Sequence, residues 1–162
     1  MGSPEVHLYP MTLADLDGVM VVERLSFLTP WSRDAFAEEL LQTFTVYVVA
    51  RAGQHVVGYG GMHVVFDEAH VTNVAVHPDW RGQGLGERIM RRLIHLAAAR
   101  GAHRMTLEVR ASNEPAKRLY AKLGFVTGPG AVRRGYYTDT GEDAIVMWKE
   151  PLVEQQATGG PA

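Results

Sequence analysis

The stretch from Val74 to Gly101 constrains this chain more than any other. An apolar run, Val74-Ala75-Val76, stops at His77-Pro78-Asp79; Arg81-Gly82-Gln83-Gly84-Leu85-Gly86 follows, and then a long amphipathic segment. Read as strand, glycine loop and helix, this order gathers unpaired backbone N–H groups at a helix N-terminus, a place that attracts phosphate oxygens. Glycines at 82, 84 and 86 let the backbone turn tightly and approach a ligand closely. The spacing discriminates among cofactors. A dinucleotide fold needs G-x-G-x-x-G after its first strand, and a Walker loop needs Gly-Lys-Ser/Thr. Here the glycines read G-x-G-x-G, no Lys-Ser/Thr follows, and several strands precede the loop. By themselves they also fit a flexible connector.

Composition narrows the class. At 162 residues and 46% hydrophobic, the chain suits one domain with a proper core. A net charge of −2 gives nucleic acid little to hold. Cysteine is absent, which excludes disulfides, thiolate metal sites and cysteine nucleophiles and fits a cytoplasmic location. No apolar run nears the roughly 20 residues of a membrane span, and no signal-peptide core is evident. His63, His70 and His77 recur every seventh position but fall on different strands and turns, without a metal-ligand pattern, so no metal is expected. We expect a single domain over 1–150 and a disordered tail over 151–162.

Periodicity supplies the elements. Val6–Tyr9 reads as a strand. Thr12 caps a helix with Leu13, Leu16, Val19, Met20 and Leu25 inward, ended by Pro30. Ser32 caps a second helix with Phe36, Leu40 and Leu41 inward. Thr45–Arg51, Val56–Val65 and His70–Val76 read as an antiparallel meander. Leu85, Ile89, Leu93, Leu96 and Ala97 form the stripe of the helix after the loop, which Gly101 ends. Met105–Val109 is a strand. A helix capped by Asn113 carries Ala116, Leu119, Tyr120 and Leu123, and Ala144–Lys149 is the last strand. The expected fold is α/β (α+β layered): a mixed, largely antiparallel sheet with helices on both faces.

Three polar residues stand out along the chain. Glu108 interrupts Met105, Leu107 and Val109. It reads either as a base with a raised pKa or a partner, or as the outward residue of Thr106-x-Glu108-x-Arg110. Tyr120 lies in an apolar stripe, as a core tyrosine does. Asn113 suits a helix N-cap.

With these residues in view, the chain resembles the GCN5-related N-acetyltransferase (GNAT) superfamily, whose signature Gln/Arg-x-x-Gly-x-Gly/Ala is met by Arg81, Gly84 and Gly86. Leu119-Tyr120-Ala121-Lys122-Leu123-Gly124-Phe125 matches further on, and the likeness runs from about residue 6 to 150. Within the family it is similar to the RimI branch, the N-terminal alanine acetyltransferases of ribosomal protein S18. That likeness rests on Phe27-x-x-Pro30-Trp31-Ser32, on Leu107-Glu108-Val109-Arg110-Ala111-Ser112-Asn113, and on Arg133-Arg134-Gly135-Tyr136-Tyr137 before Glu142-Asp143-Ala144.

The resemblance implies acetyl-CoA as cosubstrate. Its pyrophosphate would lie on the N–H groups of Gly82, Gln83, Gly84, Leu85, Gly86 and Glu87, beside Arg81. Its pantetheine would pair with Val74, Ala75 and Val76 as an added strand, with Asn113 near its end. Glu108 would take the amine's proton and Tyr120 would serve the leaving sulfur as acid. Phe27 and Trp31 on one side, and Arg133, Tyr136 and Tyr137 on the other, would flank the acceptor: a protein N-terminus, with ribosomal protein S18 first. Phe27 and Trp31 also read as packing under a loop, and Arg133-Arg134 as a solvated pair between the last strands. A lysine or small-amine acceptor, or a non-catalytic acyl-CoA-binding module, would share the glycine loop.

Overall fold

The computed structural model describes residues 5–153, which form β1 (Val6–Pro10), α1 (Leu16–Ser26), α2 (Arg33–Leu40), β2 (Thr45–Ala52), β3 (His55–Val65), β4 (Glu68–Val76), α3 (Leu85–Ala99), β5 (Arg104–Arg110), α4 (Glu114–Lys122), β6 (Val126–Tyr137) and β7 (Glu142–Lys149). The strands hydrogen-bond in the order β1-β2-β3-β4-β5-β7-β6. β4 and β5 run parallel, with Glu68, Ala69 and His70 opposite Arg104, Met105 and Thr106. The β1–β2, β2–β3, β5–β7 and β6–β7 pairs are antiparallel. The mixed sheet is the one expected. The described residues divide into two compact units, 5–63 with 71–93, and 64–70 with 94–153.

In the first unit, alternation along β3 and β4 sends neighbouring residues to opposite faces. Tyr59 and Ala75 join Leu16, Val19, Met20 and Val22 of α1, Phe36 of α2, and Tyr47 and Val49 of β2 in a buried cluster. On the other face, Gly58 and Gly60 leave room for α3. A Cβ at Gly60 would lie 2.5 Å from Ile89 Cγ2 and 3.1 Å from Leu93 Cδ1. The stripe Leu85, Ile89, Leu93 and Ala97 is buried as expected.

Three inward assignments are corrected. Leu13 is 56% exposed, Leu25 52% and Leu41 78%. α1 begins at Leu16, after a short 3₁₀ turn, and this moves its buried stripe to Leu16, Val19, Met20, Val22 and Glu23. Leu41 follows the end of α2, so its side chain leaves the buried side.

In the second unit, Met105, Leu107 and Val109 of β5 and Ala144, Val146 and Met147 of β7 are buried. α4 closes as expected: Phe125 N–H donates to Tyr120 O at 2.9 Å, Gly124 has φ 97°, and Phe125 is buried. β6 differs from the reading of the sequence. Arg133, Arg134, Tyr136 and Tyr137 lie within this strand rather than in a connection. Its pairing with β7 shifts register between Thr127 and Val132 and again between Arg133 and Tyr137, so Gly128-Pro129-Gly130 bends the strand without ending it. The expected disordered tail also needs correction at its start. Leu152 is buried, and its N–H donates to His103 O at 3.0 Å. The rest of that tail, 154–162, lies outside the described residues.

The glycine in the α3 contact yields a direct expectation. Gly60→Val should lower unfolding free energy by about 1–3 kcal/mol through overpacking against Ile89. Chemical denaturation measures this, and Gly128→Ala, whose added Cβ meets nothing within 4 Å, serves as the comparison.

Candidate active site

The first unit builds a cradle from the end of β4 and the start of α3. Arg81 folds back, its Nε donating to Val76 O at 3.0 Å and one Nη to Ser26 Oγ at 3.4 Å. His77 N–H donates to Val57 O at 2.8 Å, and His77 Nδ1 accepts from Asp79 N. These bonds fix where the loop departs from β4. Gly82 (φ 77°) and Gly84 (φ 80°) adopt the left-handed backbone that other residues rarely reach. Gly84 O accepts from Arg88 N at 3.1 Å, so the helix starts here and its first N–H groups lack intrahelical acceptors. Leu85 anchors the turn in the core while Gly82, Gln83 and Gly84 stay exposed. Glu87, an acid at an anion-attracting end, is paired with Arg91 Nε at 3.1 Å. Val74, Ala75 and Val76 precede the loop, with Ala75 buried and Val74 and Val76 half-buried. The cradle fits an anionic, phosphate-bearing ligand.

Phe27 and Trp31 follow α1 and pack, partly buried, against the core of the same unit. The Trp31 ring lies 5.2 Å from that of Phe36 and lines a cavity of about 470 Å³ with Ala35, Glu38, Glu39, Gln42 and Phe44. The Trp31 N–H donates to Glu23 Oε1 at 3.0 Å. Glu23 is almost wholly buried and also accepts from the Tyr59 hydroxyl. Burial holds its carboxyl above the usual range, against the hydrogen bonds from Trp31 and Asn73. Sequence reading missed Glu23; its place three residues after Met20, within the apolar face of α1, is the signal that could have found it.

The second unit holds Glu108, His70 and Tyr120. Glu108 is 15% exposed, and its Oε2 lies 2.7 Å from His70 Nε2 on β4. His70 is raised above the ordinary histidine value, chiefly by that bond. So Glu108 does have a partner, and its neighbour across the sheet was not identified beforehand. The three evenly spaced histidines serve three separate ends: His63 binds Glu39 at 2.6 Å, His70 binds Glu108, and His77 caps a turn. Among the described residues no group of three His, Asp or Glu is placed to hold a metal ion.

Tyr120 packs edge-on against Phe125 with centroids 5.9 Å apart, and burial pushes its hydroxyl up to about 12. Asn113 caps α4, its Oδ1 accepting from Ala116 N at 3.1 Å. Tyr137 lies under the Arg110 guanidinium at 4.1 Å, and Arg110 is itself held by Asp139 at 2.7 Å. Tyr136 meets Tyr137 at right angles, and the Tyr136 hydroxyl is raised by burial first and by the Glu108 charge second. Arg133 and Arg134 are exposed. The structure thus gathers Glu108, Arg133, Tyr136 and Tyr137 in one unit, while Phe27 and Trp31 belong to the other.

Comparison with known proteins decides the family: residues 16–125 match the acetyltransferase (GNAT) family profile. The chain belongs to that family. It is 45% identical over 139 residues to a candidate ribosomal protein bS18-alanine N-acetyltransferase of Bacillus subtilis, covering 85% of this chain and 91% of the relative. It is 38% identical over 135 residues to the ribosomal protein bS18-alanine N-acetyltransferase of Escherichia coli, covering 82% and 89%. The crystal structure of the Escherichia coli enzyme superposes with a TM-score of 0.83 at 32% identity, covering 96% of this chain and all of the other. As a GNAT acetyltransferase, the chain carries the family's glycine signature at the loop described above, on the helix end that the packing of α3 holds in place.

Buried Glu23 gives this acetyltransferase a pH signature. A carboxyl raised in the folded state binds more protons folded than unfolded, so its contribution to stability is full below about pH 4 and is lost as pH rises through the raised value. Glu23→Gln removes that term. Urea denaturation from about pH 4 to 7 should find the difference between variant and wild type moving steadily in the variant's favour.

Proposed function

We propose that this acetyltransferase passes the acetyl group of acetyl-CoA directly to the N-terminal α-amine of a protein, the N-terminal alanine of ribosomal protein S18 being the acceptor. The observation that carries the chemistry is Glu108, a sequestered carboxylate with one oxygen committed to His70. The acceptor rests on the relatives' names and on the aromatic segments around Trp31 and Tyr137. A ribosomal-protein acceptor would place the enzyme in the cytoplasm.

The glycine loop would hold the pyrophosphate on the N–H groups of Gly82 to Glu87, and Val74 to Val76 would take the pantetheine as an added strand. Asn113, besides capping α4, would lie near the pantetheine end. When bound, acetyl-CoA supplies a thioester carbonyl and a thiolate leaving group. Glu108 accepts a proton from the ammonium, freeing the nitrogen lone pair. Tyr120 acts as acid at the sulfur: a phenol pushed up to about 12 stays protonated at every working pH, so its donor is always present. The Arg110–Tyr137 stack would fix one wall of the acceptor site, with Arg133 and Tyr136 beside it.

Acceptor choice follows from amine acidity. An α-amine titrates near 7.7–8.0 and a lysine near 10.4, a gap of about 2.5 units or about 3.4 kcal/mol. One carboxylate base faces an easier task with an N-terminus.

Thiol release from acetyl-CoA tests the reading with three peptides: one with a free N-terminal alanine, an Nα-blocked copy, and a blocked copy containing lysine. Turnover of the first alone is expected; turnover of the blocked lysine peptide alone would reverse the assignment. Glu108→Gln should lower kcat by about 10²–10⁴-fold with acetyl-CoA affinity unchanged, and unaltered kcat would remove the base. Tyr120→Phe should lower kcat while thermal stability stays close to wild type. Gly84→Val, forced into a left-handed backbone, should abolish acetyl-CoA binding in calorimetry.

A further inference from the structure

The proposed mechanism leaves the partner of Glu108 without a task. His70 Nε2 lies 2.7 Å from Glu108 Oε2, inside the second unit, with the ring 39% exposed and the carboxylate 15% exposed. His70 faces Thr106 across the parallel ladder, two residues before Glu108. A proton on Nε2, donated to the carboxylate, fixes the ring's tautomer and commits one carboxylate oxygen. We propose that His70 is a positioning residue for acetyl transfer: it holds Glu108 Oε2 so that Oε1 takes the amine's proton, and loss of its imidazolium charge makes that base effective. This rests on the reading of Glu108 as proton acceptor.

The argument is one of charge. An imidazolium in contact with a carboxylate stabilises the anion and weakens it as a base. It also opposes the approach of an ammonium. The neutral ring keeps the hydrogen bond and removes the charge. The groups facing His70 are Glu68 on its own strand, Glu108 on β5 and Arg133 on β6. Tyr136 and Tyr137 of β6 in turn face Glu108. Glu68 is partly neutralised by Arg104 Nε at 2.9 Å. The Glu108 bond and the two acidic charges outweigh burial and Arg133, and the ring is held above the ordinary histidine value. The transition therefore falls above the ordinary histidine value, on the side of the α-amine's own titration.

Bond changes stay with the reactants, Glu108 and Tyr120. An ammonium N–H bond breaks and its proton goes to Glu108 Oε1. The freed electron pair forms the N–C bond, and the C–S bond breaks with its electrons on sulfur. Tyr120 gives its proton to that sulfur, and a second N–H bond of the nitrogen breaks, its proton restoring the Tyr120 hydroxyl. Glu108 then returns its proton to solvent. His70 makes and breaks no bond in this step.

The test compares kcat against pH, from about pH 5.5 to 9, for wild type, His70→Gln and His70→Ala, with acetyl-CoA and a peptide bearing a free N-terminal alanine. The wild type should lose activity as His70 gains its proton. His70→Gln keeps an N–H donor without a titrating charge; its plateau should stay within about threefold of wild type and that acidic limb should vanish, while any limb from the peptide's own amine remains. His70→Ala lacks the donor, and its plateau should fall about tenfold or more. NMR titration, with the His70 signal among seven histidines assigned by its loss in His70→Gln, should find the ring titrating above the ordinary histidine value in wild type and lower in Glu108→Gln. A His70→Gln profile superimposable on wild type, or a ring that titrates alike with and without the Glu108 charge, would overturn the proposal for His70 alone. Failure of wild type to acetylate any amine would instead overturn the reading of the site.

Discussion

The approach of α3 to β3 is the contact on which the functional geometry depends. Two glycines, Gly58 and Gly60, remove the side chains that would keep Ile89 and Leu93 away. With the helix seated this closely, the short connection from Val76 to Leu85 has little freedom, and its direction follows from where the helix begins. Arg81 completes the constraint by bonding to Val76 O rather than reaching into solvent. A surface loop rich in glycine would otherwise be mobile. Here both ends are held, so its amides are presented in one place before any ligand arrives, and the ordering cost of binding falls.

Burial divides the polar residues by task. Glu23 is sealed and serves architecture, joining α1, the Trp31 turn, Tyr59 and Asn73 in a network with few open positions. Glu108 is sequestered but reachable, and it touches a histidine that solvent can reach. Tyr120 is kept neutral by an apolar setting beside Phe125. The setting of Glu108 lets a proton come and go, and that of Glu23 does not.

Local signals made most of the fold legible. The strand–loop–helix order, the α3 stripe and the Asn113 cap all depend on residues a few positions apart, and each appears where expected. Cross-strand partners were not legible in the same way. Nothing near Glu108 in the chain announces His70, 38 positions away; the parallel pairing of β4 and β5 brings them together. The inward set of α1 was misjudged because the helix starts after a 3₁₀ turn, which rotates the phase and replaces Leu13 and Leu25 with Val22 and Glu23. Gly128-Pro129-Gly130 marks the strand after Phe125 as irregular, as β6 is, but its composition does not tell that the strand runs on through Arg133 to Tyr137.

That strand closes one side of the sheet, and its irregularity bears on how the protein behaves in a crowded cell. A long, straight outer strand offers a row of free amides and carbonyls to any passing chain. β6 offers no such row. Pro129 lacks an amide hydrogen, two shifts of register twist the ladder, and Arg133 and Arg134 place positive charge along it. A second copy of the strand would meet bends and like charges instead of a matching edge. The irregular segment thus guards the molecule against sheet-to-sheet aggregation, and it does so while carrying the two tyrosines assigned to the acceptor.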